Sequence, residues 1–230
     1  MSFKMKADVS SKLSIGRCCF LILLAGLCFL LTVLRWALTG KSTYFFLNGN
    51  LLLAAVPWVI SLFITSMVSA GKPKILSVIL FVAWFLFFPN APYIVTDLYY
   101  LNQHGEEMFW YDLIMIVMFA WTGLLYGFFS LDRIEAVLNR SLTRRKSAII
   151  IGFLLFVFAF GVYLGRDLRW NSWDIFFEPK EFFLDVLDRF TKPICHGRTW
   201  GFTFFMGILM NVVYWSLKYI QKKPKAIVRL

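Results

Sequence analysis

Six stretches of this chain, at roughly residues 18–38, 49–69, 75–96, 110–131, 148–165 and 200–220, are almost wholly apolar. At ~1.5 Å of helical rise per residue, each is long enough to cross a hydrocarbon core about 30 Å thick. Lipid offers no partner to a backbone N–H or C=O, so such stretches close their own hydrogen bonds as helices. Of the 230 residues, 60% are hydrophobic, where soluble domains carry roughly half. The expected fold is all-α, a polytopic membrane bundle with six transmembrane helices. It reads as a single domain over 18–220 between a basic N-terminal segment, 1–17, and a basic tail, 221–230.

The net charge of +11 excludes rather than suggests nucleic acid, because the basic residues end apolar runs instead of gathering on one polar face. The N-terminal segment holds Lys4, Lys6, Lys12 and Arg17, and the turn at 71–74 holds Lys72 and Lys74. Five more lie in the 132–147 connection and five in the tail from Lys218 to Arg229. The opposite side carries Arg35, Lys41 and a last loop whose bases are matched by its acids. The positive-inside rule then puts both termini in the cytoplasm. The first run lacks a small-residue cleavage site, since Arg35-Trp36 follows it, and is expected to stay as an anchor. Cys18, Cys19 and Cys28 lie in that run and Cys195 in a polar connection, so no disulfide framework or metal spacing is formed and the redox compartment is not set.

The third run is interrupted. In Phe85-Leu-Phe-Phe-Pro-Asn-Ala-Pro-Tyr-Ile-Val-Thr-Asp-Leu98, Pro89 and Pro92 each lack an N–H and clash with the preceding turn, so the third helix is expected to be discontinuous. Non-helical backbone at that depth needs protein or a wet cavity around it. One reading has Asn90 or Ala91 cap a new helix with Pro92 at its first position, leaving free N–H groups facing the gap. A capped kink would give the same letters. Asp97 emerges beyond the break, whereas Pro57 in the second run reads as an ordinary kink. His104, Glu106, Glu107 and Asp112 follow, without the i, i+4 ligand spacing of a helical metal site, and no metal is assigned.

The second informative stretch is Gly165-Arg-Asp-Leu-Arg-Trp-Asn-Ser-Trp-Asp-Ile-Phe-Phe-Glu-Pro179. If the fifth helix continues through it, Asp167, Asn171, Asp174 and Glu178 share one face. If the chain turns at Asn171-Ser172, that stripe dissolves and Asn171 with Asp174 form a helix-start pair. Its tryptophans and arginines also fit interfacial anchoring. Lys180 to Phe190 is amphipathic, with Phe183, Val186, Leu187 and Phe190 opposite Glu181, Asp185 and Asp188. It is expected to lie on the outer membrane surface or to cover the bundle. Asn211, near mid-membrane, reads as a hydrogen bond to a neighbouring helix. Asp132-Arg133-Ile-Glu135 reads as a solvated helix face or short-range pairs.

Phe88-Pro-Asn-Ala-Pro-Tyr93 with Thr96-Asp97-Leu98, together with Gly165-Arg166 and Arg169-Trp-Asn-Ser-Trp-Asp174, resembles a bacterial multi-pass membrane family catalogued as domain of unknown function 1361. The likeness runs from the second span onward. It implies a bacterial cytoplasmic membrane and two outward-facing stretches, and it carries no activity.

No Gly-rich phosphate loop, zinc-binding His pair, nucleophile elbow or nucleotide fingerprint occurs, so neither an energy-coupled pump nor a cofactor is expected. The candidate residues are Pro89, Asn90, Pro92, Asp97, Arg166, Asp167, Arg169, Asn171 and Asp174. The adopted reading is binding or transport of a small or lipid-borne anionic group through an outer-facing site, with Arg166 and Arg169 as phosphate partners. Asp97 is expected within pairing distance of one of these arginines, since a carboxylate near hydrocarbon needs a cation or water. The alternatives are an envelope enzyme using Asp97, Asp167 or Asp174 for acid/base work, and a structural or assembly subunit. Membrane lipids are the expected partners, joined under the last reading by other membrane proteins.

Overall fold

A computed structural model describes residues 2–71, 74–103 and 108–221. His104, Glu106 and Glu107 of the acidic loop, and the tail from residue 222, lie outside the described residues. No strand occurs among those described. The helices are α1 (Ser2–Thr39), α2 (Phe46–Ser69), α3 (Lys74–Phe87), α4 (Asn90–Tyr93), a 3₁₀ segment (Ile94–Gln103), α5 (Phe109–Leu138), α6 (Arg144–Asp167), α7 (Asp174–Phe177), α8 (Pro179–Thr191) and α9 (Gly197–Gln221). Six segments are long and apolar enough to span a membrane: Gly16–Thr39, Phe46–Ser69, Ile75–Leu101, Phe109–Leu138, Arg144–Asp167 and Gly197–Gln221. They overrun the apolar stretches because the helices continue to polar stop signals. Gly40, at φ 68°, ends α1, and the Thr143 side chain accepts from the Lys146 N–H to start α6.

The chain forms two compact units, residues 1–134 and 135–230. In the first, α2 runs unbroken through Pro57, whereas the third span changes geometry at its prolines. The α-helical ladder ends with Phe88 N–H donating to Trp84 O at 2.9 Å. Ala91 N–H then donates to Phe88 O and Tyr93 N–H to Pro89 O, and the chain tightens into the 3₁₀ segment. The expectation of a gap with a newly capped helix is corrected here. Pro89, at φ −57° and ψ −23°, keeps near-helical backbone, and Asn90 donates its side-chain amide to Phe87 O at 2.9 Å instead of capping. The amides of Ala91 and Tyr93 are therefore already used.

The break is held by a close approach to α5. A Cβ on Gly123 would lie 2.8 Å from Ala91 O, and one on Gly127 would lie 2.8 Å from Ala91 Cβ. Gly123-x-x-x-Gly127 thus forms the groove that receives Ala91, the small-residue device of membrane helix pairs. One turn along, Trp84 donates to Ser130 Oγ at 3.1 Å and Ser130 donates to Gly127 O at 2.7 Å.

In the second unit α6 and α9 pair in opposite directions, with Gly152 opposite Asn211, Phe156 opposite Gly207 and Phe160 opposite Trp200. The Phe156 ring occupies the space a side chain at position 207 would need. Asn211 donates to Gly152 O at 3.2 Å and Gly207 O at 2.9 Å, the interhelical role its position suggests. Glu135 departs from both readings of its stretch, a solvated face or short-range pairs: it is buried, and accepts from the distant Tyr214 Oη at 2.5 Å and Lys218 Nζ. Asp132, in the first unit, pairs with Arg17 at 3.5 Å.

Candidate functional site

One group of polar residues in the second unit gathers where α6 ends. Asp167 is the last residue of α6, and Leu168 follows in near-helical backbone. Arg169 then turns the chain in the left-handed region, at φ 62°, alone in that conformation among the described non-glycine residues. Trp170 N–H reaches back to Leu164 O at 3.2 Å and closes the helix end. Asn171 donates its backbone N–H and its side-chain amide to Asp174 Oδ2, at 2.6 and 3.1 Å, and Asp174 opens α7. Of the two readings of this stretch, the turn is the one adopted, so Asp167, Asn171, Asp174 and Glu178 share no continuous helical face. Asp167 receives Arg198, from the first turn of α9, at 2.7 Å. Arg198 is 83% exposed, and Arg169 is exposed with no side-chain hydrogen bond or ion pair among the described residues. Arg166 sits half-buried in the last turn of α6.

α8 packs onto the same end through its polar side. Trp170 donates its indole N–H to Asp185 at 2.8 Å, and buried Arg189 donates back to Asp185 O at 2.6 Å. Trp200 donates to Arg189 O at 3.3 Å. Asp188 holds Lys192 and His196, each at 2.7 Å; these two donors keep its carboxyl below the usual carboxylate range, and Lys192 is raised in return.

The first unit holds its own acids. Asp97, in the 3₁₀ segment, is completely buried, and Asn50 donates to its Oδ2 at 2.9 Å. Asp112, in the first turn of α5, accepts from two nitrogens of Arg35, Nε at 2.5 Å and Nη2 at 2.9 Å, with both residues buried. The fork-on-carboxylate geometry is the strong form of this pairing. The Arg35 guanidinium also lies 4.6 Å from the centre of the Tyr44 ring. Burial, and next the charge of Asp112, push the Tyr44 phenol up to about 12. Pro89, Asn90 and Pro92 stay at the break, with Pro92 buried. Asp97 thus belongs to the first unit, and Arg166, Asp167, Arg169, Asn171 and Asp174 to the second.

Sequence reasoning missed Arg35, Asn50, Asp112 and Arg198 as partners. The signal available for the first pair was charge complementarity: a lone Arg ends the first span and an Asp begins the fourth, and each is costly near lipid without the other.

Comparison with curated proteins and with solved structures gives no match. A family model does match, over residues 49–213, a range that contains both proline-broken and arginine-rich stretches. The chain belongs to the family described as protein of unknown function DUF1361.

Proposed function

We propose that the α6 end of the second unit binds a small or lipid-borne anionic group, on the outer face of a bacterial plasma membrane, through Arg166, Arg169 and Arg198. The observation that carries this is Arg169. A non-glycine residue in the left-handed region costs on the order of 1–2 kcal/mol, and glycine at this helix end would avoid that cost. The Arg169 side chain makes no hydrogen bond or ion pair with the described residues that would repay it. A guanidinium fixed on a rigid turn matches a phosphate or carboxylate in two-pronged geometry. Asp167 and Asp174 already hold structural partners, which counts against an acid/base role for them.

The test is native mass spectrometry of the purified protein with added phosphatidylglycerol or with inorganic phosphate. Arg169→Gly relieves the backbone and removes the donors. Loss of one charge-assisted contact, worth about 1.5–3 kcal/mol, should weaken retention roughly tenfold or more while the relieved turn makes the protein more stable. Retention of phosphatidylglycerol but not of inorganic phosphate, or the reverse, separates a lipid-borne from a free group. Unchanged retention in Arg169→Gly overturns the proposal.

A further inference from the structure

α8 is amphipathic in the reverse sense from a helix that covers a soluble core. The side turned to the protein carries polar contacts beside the Phe182 ring, which packs on Trp170: Asp185 meets Trp170, Asp188 meets His196, and Arg189 is buried with its backbone carbonyl capped by Trp200. Its apolar side points away. Phe183 is 62% exposed and Leu187 56%, and Leu184 and Phe190 are exposed beside them. Phe176 and Phe177 of α7 and Ile194 after α8 are exposed as well. Water on such a face would be strongly unfavourable, and a contiguous apolar patch of this kind marks a membrane or partner surface.

The rings fix the level of this face. Phe190 lies 5.7 Å from the ring of Phe160 and 5.0 Å from that of Trp200. Phe160 precedes the end of α6 at Asp167 by about two turns, hence roughly 10 Å along the span at ~1.5 Å per residue. Trp200, which stacks on Phe160 at 5.8 Å, lies within the first turn of α9. The C-terminal end of α8 therefore packs about two turns inside the end of α6 and level with the first turn of α9. On the same unit, Phe204 and Phe205 of α9 present exposed rings within a segment long and apolar enough to span a membrane.

We infer that α8 is an interfacial helix, with its Phe183–Leu184–Leu187–Phe190 face sunk among the acyl chains of the leaflet at that end and its Asp185–Asp188–Arg189 side turned toward the protein. An amphipathic helix in the interface buries its apolar face roughly 5–10 Å into the boundary of headgroups and chains. The arrangement screens the polar groups of the α6 end from hydrocarbon. It stands whether or not an anion binds there.

The experiment is photocrosslinking in intact membranes with p-benzoylphenylalanine in place of Phe183, an aromatic-for-aromatic change on an exposed site. The same probe at Phe205 serves as the lipid-facing reference, and at Glu181 as the polar reference. Mass spectrometry of the α8 peptide should show phospholipid adducts at Phe183 with a yield comparable to Phe205 and several-fold above Glu181. Adducts at Phe205 without adducts at Phe183 overturn the inference. So do adducts joining Phe183 to a second copy of the chain or to another protein in place of lipid.

Discussion

The contact between the broken third span and α5 can be tested with a single methyl group. In Gly123→Ala the new Cβ would stand 2.8 Å from Ala91 O and 2.9 Å from Ile94 Cδ1, where ordinary contacts begin at 3.4 Å. The Ile94 methyl can rotate away, but Ala91 O is backbone in a segment whose amides at Ala91 and Tyr93 are bonded to Phe88 O and Pro89 O. The two helices must therefore separate by about 0.6 Å, and overpacking of this kind costs typically 1–3 kcal/mol. Alanine's helical preference over glycine returns up to about 1 kcal/mol. The expected net loss is about 1–2 kcal/mol, a factor of roughly 5–30 in the folded-to-unfolded ratio. Gly26→Ala and Gly201→Ala are the controls, since a Cβ at either position meets nothing within 4 Å; both should be neutral or slightly stabilising. Reversible unfolding in mixed detergent micelles reads all three. If Gly123→Ala unfolds together with the controls, the Gly123–Gly127 groove does not hold the break and the reasoning fails.

Other perturbations have equally definite outcomes. Asp112→Asn leaves the buried Arg35 guanidinium without its counter-charge and should cost about 3–5 kcal/mol, whereas Arg35→Met with Asp112→Leu, which removes both charges, should recover most of it; unfolding in detergent measures both. Tyr44 ionises near 12 in the folded protein and near 10 unfolded, so the stability linked to its proton is intact below pH 10 and is lost as pH rises toward 12, by roughly 3 kcal/mol; alkaline unfolding of Tyr44→Phe should lack that loss. Exposed Cys195, made the only cysteine, should react with a membrane-impermeant maleimide on intact cells if the α8 end faces outward; reaction only after lysis reverses the topology.

The six spans were legible because lipid leaves the backbone one solution, and the interruption at Pro89 and Pro92 because proline chemistry is local. What replaced the helix there was not legible. A tightened 3₁₀ path and a capped gap follow from the same letters, and the choice was made by Gly123 and Gly127, whose spacing is visible but whose partner is not. Arg35 and Asp112 stand 77 positions apart, so only their shared level in the membrane hinted at the pair. For α8 the alternation of residues gave Phe183, Leu187 and Phe190 on the exposed apolar face, but placed Val186 there in place of Leu184. Which face turns outward depends on Trp170, His196 and Trp200 offering polar partners, and no periodicity reports that.

The conformation of Arg169 lies outside what residue preferences would suggest, and for that reason it separates structure from recognition. If position 169 serves only to end α6, the best residue there is glycine, and Arg169→Gly should raise stability with no other effect. Arg169→Ala would keep the left-handed strain without any donor, and so should be less stable than Arg169→Gly but equal to it in anion retention. Arg169→Lys keeps the charge and the strain while losing the planar fork, and retention between that of Arg and that of Gly would identify two-pronged recognition. The order Arg, then Lys, then Ala equal to Gly for anion retention, against Gly above Arg, Lys and Ala for stability, is expected only where the side chain is kept for its ligand. A single order common to both measurements would return Arg169 to the fold.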